Sequence, residues 1–328
     1  MNRLGQLWRR WVDLTSRTET GETLALFRIG VGIAVIWPVT VAWWSGASGI
    51  VWRDASVGGY RTLHETWFVS ALGGASPDVV HGLMVGSILG GLLVALGLGG
   101  RLVAFLTLQS FLSLSSLNTH ANGSYDHLLT NALWLLVITG ATATWSADAR
   151  LKEGSWTTTR LVPRWGRWLV LVQIVLVYGT TGLQKMSSSW TPLGGFKAVY
   201  YALRDPGWQR WDVPLLGWFE PLLAVSTAGV WLFETSWLLL PLVLWWRARD
   251  GSGGRLGNWV RLHDPRPWIL LFGGVLHGGI LLMMEVGAFS WLTMCFYVAL
   301  WTPEELSNSL PRSLPTKSLS PATPGQGP

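Results

Sequence analysis

Lys185 closes a run of apolar residues, Val170 to Leu183, and is followed by Met-Ser-Ser-Ser and Trp190. A primary amine at the end of an apolar helix can hold a charge, donate to an oxyanion or, once relieved of its proton, act as a base. Tyr178, Thr181 and Lys185 stand at i, i+3 and i+7 and share one helical stripe, with Gln173, Thr180 and Gln184 on the stripe beside it. Thr and Gln in such a face serve more readily to join helices by hydrogen bonds, whereas the lysine points more to function or to a structural or gating charge. His277 lies in Gly273-Gly-Val-Leu-His277-Gly-Gly-Ile, and its imidazole suits proton transfer as well as it suits a structural bond to the next helix. Gly274 and Gly278 have the G-x-x-x-G spacing that permits close helix approach. His120 and His127 share one face only if the intervening Asn122-Gly123 does not interrupt the helix. Their spacing specifies no ligand set, so no metal site is expected. Glu234 sits nearer the middle of an apolar segment as a relay or counter-ion, with no partner identifiable from sequence.

The elements that must position these groups are membrane helices. Hydrophobic residues make up 49% of the chain and charged residues 13%, against about 25% charged in a soluble domain. Apolar blocks recur without a long polar separator, which predicts one polytopic all-α transmembrane bundle of about eight helices. The expected spans are 24–45, 79–99, 102–117, 127–144, 167–184, 218–246, 268–285 and 287–302, the third, fourth and eighth being short. Residues 218–246 read either as one long tilted helix around Pro221 and Pro241 or as a helix with a re-entrant piece. Residues 1–19 read as an interfacial segment, with Leu4, Leu7, Trp8 and Trp11 at helical spacing beside Arg3, Arg9 and Arg10. Residues 20–304 form the transmembrane domain, and residues 305–328 are a Pro/Ser-rich tail too poor in apolar groups to order itself. No removed signal peptide is expected.

Charge sets the orientation. With both ends in the cytoplasm, the inner segments collect Arg3, Arg9, Arg10, Arg17, Arg101, Arg150, Lys152, Arg160, Arg164, Arg167, Arg247, Arg249, Arg255, Arg261, Arg266, Arg312 and Lys317. The outer segments hold only Arg53, Arg61, Lys185, Lys197, Arg204 and Arg210, and Arg28 lies early in the first helix, from which it can reach the inner interface. The net charge of +6 is thereby explained by topology, so no nucleic acid partner is expected. A single cysteine, Cys295, excludes an internal disulfide and a Cys-rich metal site. Of the 24 tryptophans, Trp37, Trp43, Trp44, Trp145, Trp165, Trp168, Trp245 and Trp246 fall near expected helix ends, where interfacial anchoring explains them. This topology places Asn118 to His127, Lys185 and Glu285 on the outer side, with His277 about two turns below Glu285, so that they could converge on one outward-facing pocket.

Several segments together resemble a family. They are Leu24-Ala-Leu-Phe-Arg28-Ile-Gly30, Asn118-Thr-His-Ala-Asn with Asp126-His-Leu-Leu, Gln173 through Tyr178 to Lys185 and Trp190, and His277 followed by Gly287-Ala-Phe289-Ser290. In that order, over about residues 20–304, they are similar to the HTTM domain of vitamin K-dependent gamma-carboxylase-like membrane proteins. The resemblance implies that Lys185 deprotonates a reduced quinone, menaquinol or a vitamin K hydroquinone. The resulting anion reacts with oxygen, which yields the quinone epoxide and a strong base for carboxylation. It implies His277 as the stabiliser of the developing oxyanion, and either His120 or His127 as the loop histidine of the site. Tyr178, Trp190, Asp126, Asn118 and Gln173 are the substrate-binding residues expected with them. The family's carboxylases carry a lysine pair where this chain has Gln184-Lys185, and no large peptide-binding region follows the helices. The expectation is therefore a quinol-handling enzyme without peptide carboxylation by this chain alone. A resemblance to short HTTM proteins such as sporulation-delaying protein B implies instead a role in maturation or export of a peptide toxin, with a small secreted peptide or a partner protein. A transporter or scaffold is the third alternative. The expected location is a bacterial inner membrane, with the lipid bilayer as the constant partner.

Overall fold

The computed structural model describes residues 3–62, 65–212, 214–247 and 254–309. Arg249, Arg312, Lys317 and most of the expected Pro/Ser-rich tail lie outside the described residues. The amino-terminal helix α1 (Arg3–Thr15) exposes Trp8 and Trp11, as an interfacial helix does. Then follow α2 (Glu22–Trp44), α3 (Pro77–Leu96), α4 (Gly100–Ser116), α5 (Ser124–Thr139) and α6 (Trp165–Gln184). The carboxyl-terminal part holds α7 (Glu220–Ser236), α8 (Leu240–Arg247), α9 (Arg266–Met283) and α10 (Phe289–Phe296). A 3-10 turn, Trp237–Leu239, joins α7 to α8, and another, Tyr297–Leu300, prolongs α10.

Helices α2, α3, α6, α9 and the composite Leu216–Arg247 are each long and apolar enough to cross a membrane. Helices α4 and α5 have 17 and 16 residues, and Phe289–Leu300 is shorter still. At about 1.5 Å per residue these three span less than a ~30 Å hydrocarbon core. Each expected span thus has its helix, and residues 218–246 form one composite crossing broken at Trp237 rather than a re-entrant loop. Local sequence explains the ends. Ser76 accepts from the Val79 amide, Pro77 and Asp78 occupy the first turn of α3, and Gly97 closes it in the left-handed conformation.

Helix α2 is the central post. It packs on α3, α5, α6 and α10 and buries Phe27, Val31, Ala34 and Val35. Phe27 meets Phe296 edge-on with centroids 4.9 Å apart. At one end of the bundle, charged staples join the helix ends. Arg28, 2% exposed, does not extend to solvent but donates to the carbonyls of Val94 (3.3 Å) and Trp145 (2.6 Å). The reason is that these carbonyls lie within its reach and replace water as acceptors. Glu19, in a short ribbon that pairs Thr18–Thr20 with Leu161–Pro163, accepts from Arg167 at 2.9 Å. Arg167 also donates to the Ala299 carbonyl at 3.2 Å. Arg266 joins Asp264, Glu305 and the Leu300 carbonyl, with Arg247 beside them. The opposite ends meet as alternating crossings require: Asn118 donates to the Val51 carbonyl, and the Glu285 amide to the Trp208 carbonyl.

The Arg266 hydrogen bond is the main cause that holds the Glu305 carboxyl down to about 2, against its ordinary 4.5. A depressed carboxylate contributes stability above about 4.5 that is lost as pH falls toward about 2. Thermal unfolding of the detergent-purified chain should therefore weaken across that window. Arg266→Ala should lower stability by about 3 kcal/mol at neutral pH and flatten the acid-dependent loss. An unchanged acid profile in the variant would remove Glu305 from the staple.

Candidate functional site

The backbone of Lys185 leaves the helical region at φ −74°, ψ 62°, which ends α6 and turns the chain toward Trp190. Its ammonium hydrogen-bonds the carboxylate of Glu234 on α7 and lies 4.9 Å from the centroid of the Trp190 ring. Glu234 is 8% exposed, so each charge compensates the other where water is scarce. Sequence sets up this meeting through Gly182. A Cβ there would stand 2.8 Å from the Thr235 amide nitrogen and 3.0 Å from the Glu234 carbonyl carbon. Without a side chain, α6 and α7 touch backbone to backbone, and the carboxylate is delivered beside the lysine.

Two turns earlier on α6, Tyr178 anchors a second centre. Its hydroxyl is 2.5 Å from His277 Nε2 on α9 and 2.5 Å from the hydroxyl of Tyr297. Gly273, one turn before His277, makes room for the Tyr297 ring, whose hydroxyl would be 2.4 Å from any Cβ. The expected close approach at Gly274 and Gly278 is not made, since a Cβ at either would meet nothing within 4 Å. Gly273 and His277 share the face turned to the bundle, and residues one position later are rotated about 100° away. Trp237, from the 3-10 turn, stacks on Tyr178 at 4.7 Å and on Tyr297 at 5.4 Å. Phe233 and Phe289 pack edge-on or tilted around Tyr178 and His277.

Hydrogen-bond bookkeeping fixes the state of His277. A phenol has one proton to donate. If Tyr297 donates to Tyr178 and Tyr178 donates to Nε2, both hydroxyl protons are used and the imidazole carries its proton on Nδ1. In the reverse direction Tyr297 has no acceptor for its proton among the described residues. The first arrangement leaves one group unmatched, and Nδ1 is a buried atom with no partner. In the first arrangement His277 holds a free Nδ1–H in a dry setting, the form that suits a developing oxyanion.

The remaining expected residues are distributed less tightly. Trp190 stands against Lys185. Gln173 is half-buried and Gln184 exposed, while Thr180 and Thr181 bond carbonyls of their own helix. Asn118 caps the turn 119–121 through the amides of His120 and Ala121. Asp126 accepts from the Gly123 amide at 2.7 Å and so opens α5. His120 and His127 are exposed on this outer loop, and neither has a hydrogen bond to Lys185 or His277. The loop reaches the site's neighbourhood through Tyr125, whose ring lies beside Gly287 between α9 and α10. Sequence reading missed Tyr297, Trp237 and the partnership of Glu234, although a carboxylate alone in an apolar segment demands a cation from another helix.

The family model for the HTTM domain matches residues 16–248. The chain belongs to the HTTM-domain family. It is an integral membrane protein of the gamma-carboxylase-like group. The matched span contains Lys185, Glu234, Tyr178 and Trp237, whereas His277 and Tyr297 lie beyond it and complete the HTTM centre by packing onto it. No curated protein and no solved structure matches the chain.

Two outcomes test this geometry. In Tyr297→Phe the direction of the Tyr178 bond is no longer fixed, so nitrogen-15 spectra of His277 should change from a single Nδ1–H form to a mixture; an unaltered spectrum removes Tyr297 from the chain. Glu234→Ala should destabilise the protein by about 3 kcal/mol by leaving the lysine unpaired, and Lys185→Met in the same background should restore part of that loss. Additive effects in this double-mutant cycle would mean that the two charges do not meet.

Proposed function

We propose that this HTTM protein is an intramembrane enzyme that deprotonates and oxidises a reduced quinone, with Lys185 as the base and His277 as the oxyanion donor. The observation that carries the reading is the buried Nδ1 of His277, which has no hydrogen-bond partner among the described residues while two tyrosines align the ring. A donor prepared in this way and left unused inside a membrane protein costs about 1–3 kcal/mol, a penalty that a ligand oxygen would relieve. The residues fit a quinone in kind as well: the centre is aromatic, lined by Tyr178, Trp237, Tyr297 and Phe289.

Lys185 can reach the basic form without exporting a charge through lipid. Its proton moves along the existing hydrogen bond to Glu234, which leaves a neutral amine beside a neutral acid. The amine then takes a proton from the bound hydroxyl, and Glu234 holds the earlier one. When bound, a reduced quinone would supply that acidic hydroxyl and, with oxygen, would undergo a four-electron oxidation to quinone epoxide with release of one water. His277 meets the developing negative charge through Nδ1–H, and Tyr178 and Tyr297 keep the ring in that tautomer. Trp190 shields the amine from the outer interface.

Incubation of the purified protein with menaquinol or vitamin K hydroquinone under oxygen should give epoxide detectable by mass spectrometry. Lys185→Ala should reduce its rate by at least about a hundredfold, and His277→Ala by on the order of a hundredfold or more. Folded wild-type protein that forms no epoxide, or a lysine variant with full activity, would turn the reading toward peptide maturation or transport.

A further inference from the structure

Three arginines are buried among the described residues, and two of them have a carboxylate to match their charge: Arg167 has Glu19, and Arg266 has Asp264 and Glu305. Arg28 has none within ion-pair distance among the described residues. Asp148, beside the same turn, gives one oxygen to the Gly99 amide at 3.0 Å and forms no ion pair with Arg28. A guanidinium does not escape burial by losing its proton, so a full positive charge stands where water is scarce, met only by the Val94 and Trp145 carbonyls. Its Nε is buried and unpartnered. Buried charges are ordinarily paired, and the partner missing from this chain is an anion.

The surroundings of Arg28 supply more donors. It lines a cavity with Gly97, Leu98, Gly100 and Thr142 at the turn between α3 and α4. Gly97, Gly99 and Gly100 all take positive φ, 70°, 78° and 55°, and a Cβ at Gly97 would collide with the Arg28 guanidinium. Only a turn without side chains lets the start of α4 come this close to the charge. Helix α4 has 17 residues and no side-chain cap, so its first amides and the positive end of its dipole are available to an anion. Arg101, exposed, reaches back over the end of α5, where a Cβ at Gly140 would stand 2.8 Å from its Nε. It thereby lies on the rim, beside Ala141 and Thr142 of the lining.

We propose that Arg28, Arg101 and the first turn of α4 form a binding site for the phosphate of a phospholipid headgroup. The cavity has about 10 Å³ of free volume, room for one oxygen atom but not for a whole phosphate. One phosphate oxygen enters toward Arg28 Nε, and the rest of the group stays at the mouth with Arg101 and the α4 amides. Lipid is the source that the setting favours over free phosphate, because the mouth lies at a helix end with Leu96 and Leu102 exposed on either side to receive acyl chains. None of the lining residues belongs to the Lys185 or His277 centres, so the site stands whether or not the protein oxidises a quinol.

The test uses the full-length protein in detergent, freed of lipid, mixed with dioleoylphosphatidylglycerol and weighed by native mass spectrometry. Wild type should retain one lipid tightly. Arg101→Ala should need about tenfold more lipid for half occupancy, and Thr142→Val several-fold more. Arg28→Gln, which keeps N–H groups for the two carbonyls but no charge, should lose the tightly held lipid. Dioleoylglycerol, which has the same tails and no phosphate, should not be retained, and inorganic phosphate should compete only at far higher concentration.

No retained lipid in the wild type, or equal retention in every variant, overturns the site. Dioleoylglycerol held as firmly as the phospholipid overturns the role of phosphate, and competition by inorganic phosphate at matching concentration overturns lipid as its source. If Arg28→Gln does not fold, Arg101→Ala and Thr142→Val decide.

Discussion

Hydrocarbon offers no water to a polar group, so every charge or hydroxyl inside this bundle must find its partner on another helix or remain unmatched. Helix α6 carries the weight of that constraint. Tyr178 and Lys185 are seven residues apart, about 10 Å along the axis, and each draws its partner from a different neighbour. Lys185 takes Glu234 from α7, and Tyr178 takes His277 from α9 and Tyr297 from the turn after α10. Removing α6 from the centre would leave a carboxylate, an imidazole and a phenol stranded at once. Its polar stripe is thus what gathers three separate helices around one region.

Two arginines at the helix ends use their donors differently. Arg167 and Arg266 spend their guanidinium donors on carboxylates and helix-end carbonyls. Such groups join helices at one end of the bundle. Around Tyr178, by contrast, His277 Nδ1 and Trp237 Nε1 are both buried and unpaired. They mark where the protein itself does not provide the last partner.

Much of this was legible in the amino-acid sequence because lipid simplifies the code. Apolar length predicted where each helix of the bundle lies. Lys185 and His277 stood out because ionisable groups are rare in apolar segments. The pairings did not follow, since they depend on how helices are rotated. Gly274 and Gly278 have the more familiar spacing, yet Gly273 makes the close contact because it shares a face with His277. Tyr297 and Trp237 read as ordinary interior aromatics until their stacking and unshared N–H are seen. Arg28 read as a side chain reaching for the interface, but two carbonyls near its guanidinium hold it inside.

The placement of His277 raises a further point about what the fold must hold steady. Helix α9 is mostly turned outward: Leu271, Phe272, Val275 and Leu282 are exposed, and a Cβ at Gly274, Gly278 or Gly279 would touch nothing. It is gripped at its inner end by the Arg266 staple. At its outer end the strap 208–211 bonds Leu282, Met283 and Glu285, with Arg210 also 3.0 Å from the Glu285 carboxylate. Between these grips the contact that fixes its rotation is the Tyr297 ring over Gly273, beside the Tyr178 bond. A rotation of α9 by one residue would bring Gly274 to that ring and carry His277 away from Tyr178. The same tyrosine thus sets both the angle of the helix that bears the donor and, through its proton, which nitrogen donates.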